Sequence, residues 1–314
     1  MKRAVRDVKL GTTADELLKQ WETSGGFTAP KVAQGANILE EMFRDKDCVK
    51  FLSFPANLMA TGTRGVLREL VKRKWVDVVV TTCGTLDHDL ARLWGDYHEG
   101  SFEADDWELR KKHVHRLGNV FVPRDVYGLA VENKLQPMFK RMHQQGLKHF
   151  GTHQFCRALG EQLKGEKRKG QSLLYWAYKN NIPVVVPGPT DGAVGYQAWI
   201  FAQDHSDFTF NLFKDESLLH QTVVQAKRTG ALMLGGGISK HHVIWWNQAK
   251  DGLDYAVQIT TAPEWDGSLS GARVREGISW NKVKPNAKQV TIEGDATVLL
   301  PLMASAVLSR MPKE

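Results

Sequence analysis

The sequence predicts an α/β fold, in which a doubly wound and mostly parallel sheet carries helices on both faces. Segments typical of strands alternate with segments typical of helices along most of the chain. One strand segment, 76–80, is almost entirely apolar and β-branched, which is typical of strands buried on both faces. The sequence has no low-complexity linker and no internal repeat. We therefore expect one domain over 1–314, with a helical segment at 1–28 packed on it.

The first two helices have clear start signals. Thr13 and Glu16 have the spacing of a capping box, which predicts a short helix ending near Glu22. Pro30 is suited to the first turn of a helix, and apolar residues follow it on one stripe as far as Phe43. Further helices are predicted at 63–74, 86–94, 129–142, 154–163, 173–180, 216–228, 238–250 and 297–308.

The predicted strands fall between these helices. They cover 49–54, 76–80, 119–122, 183–186, 208–212, 231–234, 255–259 and 289–292. The polar stretch 95–118, rich in Asp, Glu and His, is predicted as a long excursion from the alternating pattern. Since ligands of doubly wound sheets bind at the carboxyl ends of the strands, residues that follow strands are the first candidates for a site.

Composition and charge favour a reduced, cytoplasmic protein of enzyme size. The 314 residues are 42% hydrophobic and 25% charged, and no apolar run has the length of a membrane span. The first residues lack the apolar core of a secretory signal, and three widely spaced cysteines form no disulfide or metal pattern. The net charge of +7 could steer an acidic partner, although a solvated surface is the simpler explanation. The basic runs lack interleaved aromatic residues, so a nucleic acid is not expected as a partner, and without a long apolar run neither is a membrane.

Small and hydrogen-bonding residues follow several predicted strands, as a bound cofactor would require. Glycine at the start of a helix lets the backbone approach a phosphate or ribose, and the helix N-terminus adds partial positive charge. An aspartate after a strand can accept hydrogen bonds from ribose hydroxyls. A tight turn for the glycines and a cap for each aspartate remain the alternatives. The candidates are Asn57, Thr82, Cys83, Gly84, Asp191, Gly235, Gly236, Thr261, Ala262, Asp266 and Asp295.

Histidines stand at two places that could suggest a metal. His241 and His242 lie on the first turn of the helix predicted at 238–250, where a histidine can move a proton. Adjacent helical residues point in different directions and no HExxH motif is present, so no metal is expected there. The run Asp87-His88-Asp89 is likewise a poor metal cluster.

Lys282 is the candidate nucleophile. It lies two residues after Trp280 and six after Glu276. An amine beside a large aromatic side chain is partly desolvated, and desolvation favours the neutral form that imine chemistry needs. Glu276 could hold an ammonium group of a substrate. An ordinary surface lysine remains the alternative on composition alone.

Several long segments resemble one family. The run GGGISKHH, followed by TTAPEWDGSLSGARVREGISWNK and GDATVLLPL, is similar to the C-terminal signature of the deoxyhypusine synthase family. The segments PANLMATGTRGVLRELV, VDVVVTTCGTLDHDLAR, RLGNVFVP and PVVVPGPTDGAVG are similar to its earlier parts. The resemblance extends from about Gly35 to the C-terminus, and it is strongest to the archaeal branch.

The resemblance implies a Rossmann-like fold and a homotetramer with active sites shared across dimer interfaces. It implies an NAD-dependent aminobutyltransferase that oxidises spermidine and releases 1,3-diaminopropane. The 4-aminobutyl group would pass as an imine to Lys282 and then to one lysine of the translation factor 5A precursor. Reduction of that imine by the retained NADH would give deoxyhypusine.

The resemblance also assigns site residues. Lys282 matches the covalent lysine, and His241 is expected to assist it. The strand-end candidates named above match positions around NAD. Three positions that are acidic in the eukaryotic pattern are His88, Tyr196 and Leu269 here, which leaves the identity of the polyamine open. The residues expected to bind the substrate are Glu276, Trp280, Asp87, His88 and Tyr196.

Two other functions stay open. A homospermidine synthase-like relative would pass the same aminobutyl group to a free amine such as putrescine. A catalytically silent NAD-binding partner would need neither Lys282 nor Glu276, and both are present here.

Overall fold

The computed structural model describes residues 4–312. Their helices are α1 (Ala14–Ser24), α2 (Ala29–Arg44), α3 (Asn57–Ala60), α4 (Arg64–Lys72), α5 (Cys83–Trp94), α6 (Asp106–Lys111), α7 (Ala130–Gln144), α8 (Thr152–Gln162), α9 (Leu173–Asn180), α10 (Ala193–Asp204), α11 (Phe213–Gln225), α12 (Gly237–Asn247) and α13 (Ala296–Arg310). Short 3₁₀ turns cover Leu163–Gly165, Lys169–Gln171, Gln248–Lys250 and Val274–Trp280, and a π-helical turn covers Asp125–Leu129.

The strands are β1 (Cys48–Phe54), β2 (Val78–Thr81), β3 (His98–Glu99), β4 (Val114–Leu117), β5 (Val120–Pro123), β6 (Val184–Val185), β7 (Arg228–Leu234), β8 (Leu253–Thr260) and β9 (Val283–Glu293). The chain forms two compact units. The first contains the residues up to Phe54, Trp75–Val78 and the residues from Leu218 on; the second contains Pro55–Lys74 and Val79–Ser217. The single domain expected from the sequence stays a prediction.

The first unit has a parallel sheet in the order β1-β7-β8-β9. Its register pairs Phe51 with Ala231, Ala231 with Ala256, and Ala256 with Gln289. α2 contacts β8 and β9, whereas α12 contacts β1 and β7. Residues 231–234 are completely buried, as expected for a central parallel strand covered by helices. The first helix begins at the predicted capping box, with both reciprocal hydrogen bonds between Thr13 and Glu16.

The second unit pairs β2 with β6 in parallel and adds a small antiparallel sheet in the order β3-β5-β4. β3, α6 and β4 lie in the excursion predicted at 95–118, and β5 corresponds to the strand predicted at 119–122. Rings of Phe139, Phe150, Phe155, Phe201 and Phe208 pack against one another in the core of this unit.

The structure confirms the predicted class, an α/β fold with a mostly parallel sheet and packed helices. The strand predicted at 208–212 is wrong, because this segment makes only one isolated bridge, between Phe150 and Phe210. The helix α10 has no counterpart among the predicted elements. Within 4–312, no helix is both long and apolar enough to cross a membrane.

Candidate active site

Lys282 lies in a cavity of the first unit with a volume of about 540 Å³. Two segments distant in sequence, α12 and the stretch from Ser268 to Lys282, build most of this cavity, and Met233 of β7 also lines it. The side chains that matter for chemistry are Lys240, His241, Trp245, Glu276, Trp280 and Lys282. The structure therefore brings together the predicted nucleophile, Lys282, and the three residues predicted around it, His241, Glu276 and Trp280.

The backbone of Lys282 is held on both sides. Asn281 adopts a left-handed conformation with φ 54° and ends the 3₁₀ turn. The Lys282 amide donates to the Gly277 carbonyl at 2.8 Å, and the Lys282 carbonyl accepts from the Leu253 amide at 3.1 Å. These bonds fix the point from which the side chain enters the cavity.

The amine of Lys282 lies between two indoles. Its Nζ is 5.1 Å from the ring centroid of Trp280 and 5.4 Å from that of Trp245. Both distances are in the range of a cation–π contact. Lys282 is only 9% exposed, whereas Trp280 is 62% exposed and forms the outer wall. Trp280 was predicted from its position beside Lys282, whereas Trp245, which lies 37 residues from Lys282 in the chain (282 − 245), was not.

His241 lies against Trp245 in the same cavity. Its ring stacks on Trp245 with a centroid distance of 5.8 Å and an interplanar angle of 27°. Burial lowers the pKa of His241, and the charges of Lys282 and Lys240 lower it further. The imidazole is therefore neutral at neutral pH and can accept a proton or a hydrogen bond.

Lys240 is a second amine in the cavity that the sequence analysis did not single out. It is 6% exposed, and its Nζ donates to the Ala272 carbonyl at 2.9 Å. Burial lowers the pKa of Lys240 to about 8, although the charge of Glu276 acts in the opposite direction. Its position next to His241 in the KHH run is the one sequence signal that could have identified it.

At the start of α12, Gly236 packs closely against another segment, whereas Gly237 borders open space. A Cβ on Gly236 would lie 2.6 Å from the Cα of Ser270, so the loop at Ser270 packs directly on this turn. Gly237 has φ +68°, lines the cavity, and would place a Cβ in open space. Amides at the N-terminus of an 11-residue helix, next to open space, suit a phosphate or other anion.

The other predicted cofactor residues of the first unit have local partners. Asp266 accepts from the Ser268 amide at 3.1 Å and from its hydroxyl at 2.6 Å, which lowers the pKa of Asp266. Asp295 caps α13 by accepting from the Thr297 amide at 2.8 Å. Thr261 and Ala262 follow β8 directly, at its carboxyl end. These positions agree with the predicted strand ends, and their role toward a cofactor stays a prediction.

The remaining predicted residues belong to the second unit. Asn57 is the first residue of α3, and the Thr82 hydroxyl accepts from the Ala56 amide at 3.1 Å. Cys83 and Gly84 begin α5, whereas Asp191 precedes α10.

Asp87 has a structural function that the sequence did not reveal. Its carboxylate is fully buried and accepts from the amides of Ala193 and Val194 at 2.9 and 2.8 Å, which caps α10. It also accepts from the Tyr127 hydroxyl at 2.8 Å. Burial raises the pKa of Asp87 even though these three hydrogen bonds favour the charged form.

His88 and Tyr196, both expected at the substrate, differ in exposure. His88 is buried, with Nδ1 2.9 Å from the Tyr97 hydroxyl. Burial, and then the charge of Arg92, lower the pKa of His88 to about 4, so it is neutral at physiological pH. Tyr196 lies on the exposed face of α10, stacked on Trp199. Among the described residues, no group of three His, Cys, Asp or Glu side chains could hold a metal ion.

Comparisons with known proteins agree on one family. The deoxyhypusine synthase family model matches residues 16–307. The chain is 50% identical over 310 residues to the "Probable deoxyhypusine synthase" of Picrophilus torridus and 48% identical to that of Thermoplasma volcanium, covering 98% of both chains in each case. A crystal structure of a candidate deoxyhypusine synthase from Entamoeba histolytica has a TM-score of 0.66 at 22% identity, and the match covers 99% of this chain and 98% of that one, which shows a common fold. The chain therefore belongs to the deoxyhypusine synthase family of enzymes.

Proposed function

We propose that this enzyme transfers the 4-aminobutyl group of spermidine, through an imine on Lys282, to a lysine of the translation factor 5A precursor. The observation that carries this proposal is the placement of the Lys282 amine, buried between the indoles of Trp245 and Trp280. An imine to this amine is protected from hydrolysis because the two rings restrict the approach of water. The carboxylate of Glu276, in the same cavity, can bind the terminal ammonium of the aminobutyl group.

Formation of the imine requires prior oxidation of a substrate C–N bond, and we propose NAD for this purpose. NAD, when bound, supplies a hydride acceptor and later returns the hydride. In the first unit, the residues proposed to hold NAD are Gly235, Gly236, Thr261, Ala262, Asp266 and Asp295. The open space at Gly237 and the N-terminal amides of α12 beside the cavity support the binding of NAD at these residues.

The residues of the second unit are proposed for the same reaction on the basis of the family resemblance. Asn57, Thr82, Cys83, Gly84 and Asp191 are assigned to NAD, and Asp87, His88 and Tyr196 to the polyamine. A homotetramer and a cytoplasmic location are proposed on the same basis. The NAD residues can be distinguished from the polyamine residues experimentally, since variants of either group can be tested for NAD binding alone.

The test is incubation of the protein with NAD and spermidine labelled in the aminobutyl part. We expect release of 1,3-diaminopropane and label on the precursor protein when it is present. Label on homospermidine when putrescine is present would support the alternative transfer to a free amine. No release of 1,3-diaminopropane under either condition would refute the proposed function.

The nucleophile has its own test. Borohydride treatment during turnover should attach label to Lys282, and Lys282→Arg should bind NAD but give no adduct, because a guanidinium cannot form the imine. Lys284→Arg is the matched control, since Lys284 lies outside the cavity and pairs with Asp254 at 2.7 Å. A normal adduct in Lys282→Arg would show that another amine carries the group.

A further inference from the structure

Two basic runs of the sequence, which contain no aromatic residue, meet aromatic side chains in the fold of the second unit. The run 72–74 (KRK) lies at the end of α4, and the run 164–169 (KGEKRK) follows α8. Side chains of both runs reach α9, which carries Tyr175, Trp176 and Tyr178. These three rings and the cations over them form the α9 surface, to which the proposed function gives no role.

Trp176 and Tyr175 hold three lysines on their rings. Lys72 and Lys179 place Nζ 5.3 and 4.6 Å from the ring centroid of Trp176. Lys169 places Nζ 5.8 Å from the ring centroid of Tyr175, and the two rings pack edge to face. Distances of this size are typical of cation–π contacts. A lysine that rests on a ring has less side-chain freedom to lose on binding a ligand than one that extends freely into water.

Tyr178 holds a lysine and an arginine. Nζ of Lys164 is 5.0 Å from the ring centroid of Tyr178, and Cζ of Arg157 is 5.5 Å from it. The exposed Arg157 guanidinium also donates to Oδ1 of Asn181, so it is held by two neighbours. A guanidinium that covers a ring with one face can offer its other face to a nucleic acid base, because bases stack on such planes.

The charge around the α9 surface is strongly unbalanced. The segments 68–74, 157–169 and 175–180 contain ten Lys or Arg residues against three Glu, an excess of +7 (10 − 3). This excess equals the formal net charge of the whole chain. A local excess of this kind attracts polyanions, and it does so most strongly at low salt.

Only part of this charge is neutralised within the protein. Glutamates pair with Lys72 and Lys164 at 3.5 and 2.8 Å, and Asp96 pairs with Arg168 at 2.6 Å. Other cations on the rings have no carboxylate partner and are available to an anion from solution. In the part of the chain that the structure describes, the cations over these rings that form no ion pair are Arg157, Lys169 and Lys179.

We propose that the α9 surface binds single-stranded RNA. Phosphates contact the five cations, and bases stack on the guanidinium of Arg157 and on the parts of the half-buried rings that the lysines leave open. A flexible single strand can bring both kinds of group to one helix face, and RNA is the nucleic acid that is commonly single-stranded in cells. This role is separate from the transfer proposed for Lys282.

Two other polyanions fit the surface less well. An acidic protein segment would neutralise the cations but would bring no planar group to the stack of Arg157 on Tyr178. An anionic membrane also attracts cations, but a surface that lies on a membrane inserts apolar side chains. The aliphatic residues Leu173 and Leu174 of α9 are completely buried, so α9 offers none.

The first experiment measures binding of a fluorescein-labelled oligouridine of about 20 nucleotides by fluorescence anisotropy at several KCl concentrations. The full-length protein is used, without NAD or spermidine. If each of the five cations neutralises one phosphate, the logarithm of the association constant should fall against the logarithm of salt concentration with a slope of about −3.5, about −0.7 for each contact. No binding of the RNA at about 0.05 M KCl would overturn the proposal.

The charge is tested by replacing the three cations that form no ion pair. Arg157→Gln, Lys169→Gln and Lys179→Gln together should weaken RNA binding by about 10-fold or more at about 0.05 M KCl and reduce the slope to about −1.4. A control variant removes the same charge from exposed lysines of other elements and should bind within about twofold of the wild type. If the two variants bound RNA equally well, the proposal would be overturned. The control changes are Lys46→Gln, Lys140→Gln and Lys214→Gln.

The rings are tested without any change of charge. Trp176→Leu keeps every cation but frees Lys72 and Lys179, so RNA binding should weaken by about 5-fold or more. Trp107→Leu is the matched control, because Trp107 also lies beside an arginine but belongs to α6. Urea unfolding checks that both variants are folded. Unchanged binding in Trp176→Leu, or an equal loss in Trp107→Leu, would overturn the role of the rings.

The same assay distinguishes the other partners. Poly-glutamate of matched charge and vesicles of phosphatidylglycerol are added as competitors of the labelled RNA. We expect both to compete more weakly than unlabelled oligouridine. Stronger competition by poly-glutamate or by the vesicles would overturn the proposal in favour of an acidic protein or a membrane. None of these measurements requires turnover, so their failure and a failure of the transfer proposed for Lys282 are distinguishable.

Discussion

The contact between Gly236 and the loop at Ser270 gives a quantitative prediction about the glycine turn at the start of α12. In Gly236→Ala, the new Cβ would lie 2.6 Å from both the Cα and the Cβ of Ser270. An ordinary contact begins at 3.4 Å, so the two segments must separate by about 0.8 Å (3.4 − 2.6). Overpacking of this kind costs about 1–3 kcal/mol of unfolding free energy.

Gly237→Ala provides the matched comparison. Its Cβ would meet no atom within 4 Å, but its φ of +68° is unfavourable for alanine. We expect a cost of about 1–2 kcal/mol from the backbone conformation alone. The two substitutions are therefore expected to destabilise the protein for different reasons. Gly236→Ala clashes with another segment, whereas Gly237→Ala strains its own backbone.

A double-mutant cycle separates these causes. Ser270→Gly removes the Cβ and hydroxyl of Ser270 but keeps its Cα, so it should relieve part of the cost of Gly236→Ala. We expect a coupling of about 0.5–2 kcal/mol between these two changes in urea unfolding. Gly237→Ala and Ser270→Gly should be additive. Additivity of the Gly236 and Ser270 changes, or a cost for Gly236→Ala below about 0.5 kcal/mol, would refute the packing argument.

Three further predictions follow from individual contacts. Asp87→Ala should lower the unfolding free energy by about 1–3 kcal/mol, because it leaves the first amides of α10 without an acceptor; an unchanged urea midpoint would contradict this. The hydrogen bond from Arg228 lowers the pKa of Asp45 to about 2, below its value in the unfolded chain, so this ion pair stabilises the fold above pH 4 and the contribution is lost as pH falls toward 2. Asp45→Asn should therefore flatten the acid limb of the stability–pH curve, by less than about 1 kcal/mol because solvent screens the pair at Arg228, whose side chain is 42% exposed, and an identical limb would contradict it. Trp245→Ala should make Lys282 react several-fold faster with acetic anhydride, since one of its two walls is removed, and an unchanged labelling rate would show that Trp245 does not shield the amine.

The sequence was most informative where residues close in the chain are also close in space. Trp280 and Lys282 are two positions apart, and the aromatic wall predicted from that spacing is present. Trp245 and Lys240 reach the same cavity from α12, a different segment, so spacing along the chain could not relate them to Lys282. Their contribution depends on which helix covers which strand, and that is a property of the tertiary structure.

Asp87 shows why a predicted site residue can have another function. The family resemblance implied a substrate contact for Asp87, and in the structure its carboxylate caps α10. The helix α10 was not predicted because its apolar residues do not form a single stripe: Tyr196 and Trp199 are exposed on the face opposite the buried one. Without a predicted helix, the need for a cap at Ala193 could not be recognised.

The two backbone hydrogen bonds that clamp Lys282 have a consequence for how an acceptor must be shaped. Because the main chain at this position is tied to Gly277 and Leu253, the transfer proposed for Lys282 would rely on torsions of its side chain rather than on a moving loop. Under that proposal the receiving amine has to travel inward past the ring of Trp280. A long, slender arm on a prominent loop satisfies that requirement, whereas an amine lying flat on a broad protein surface does not.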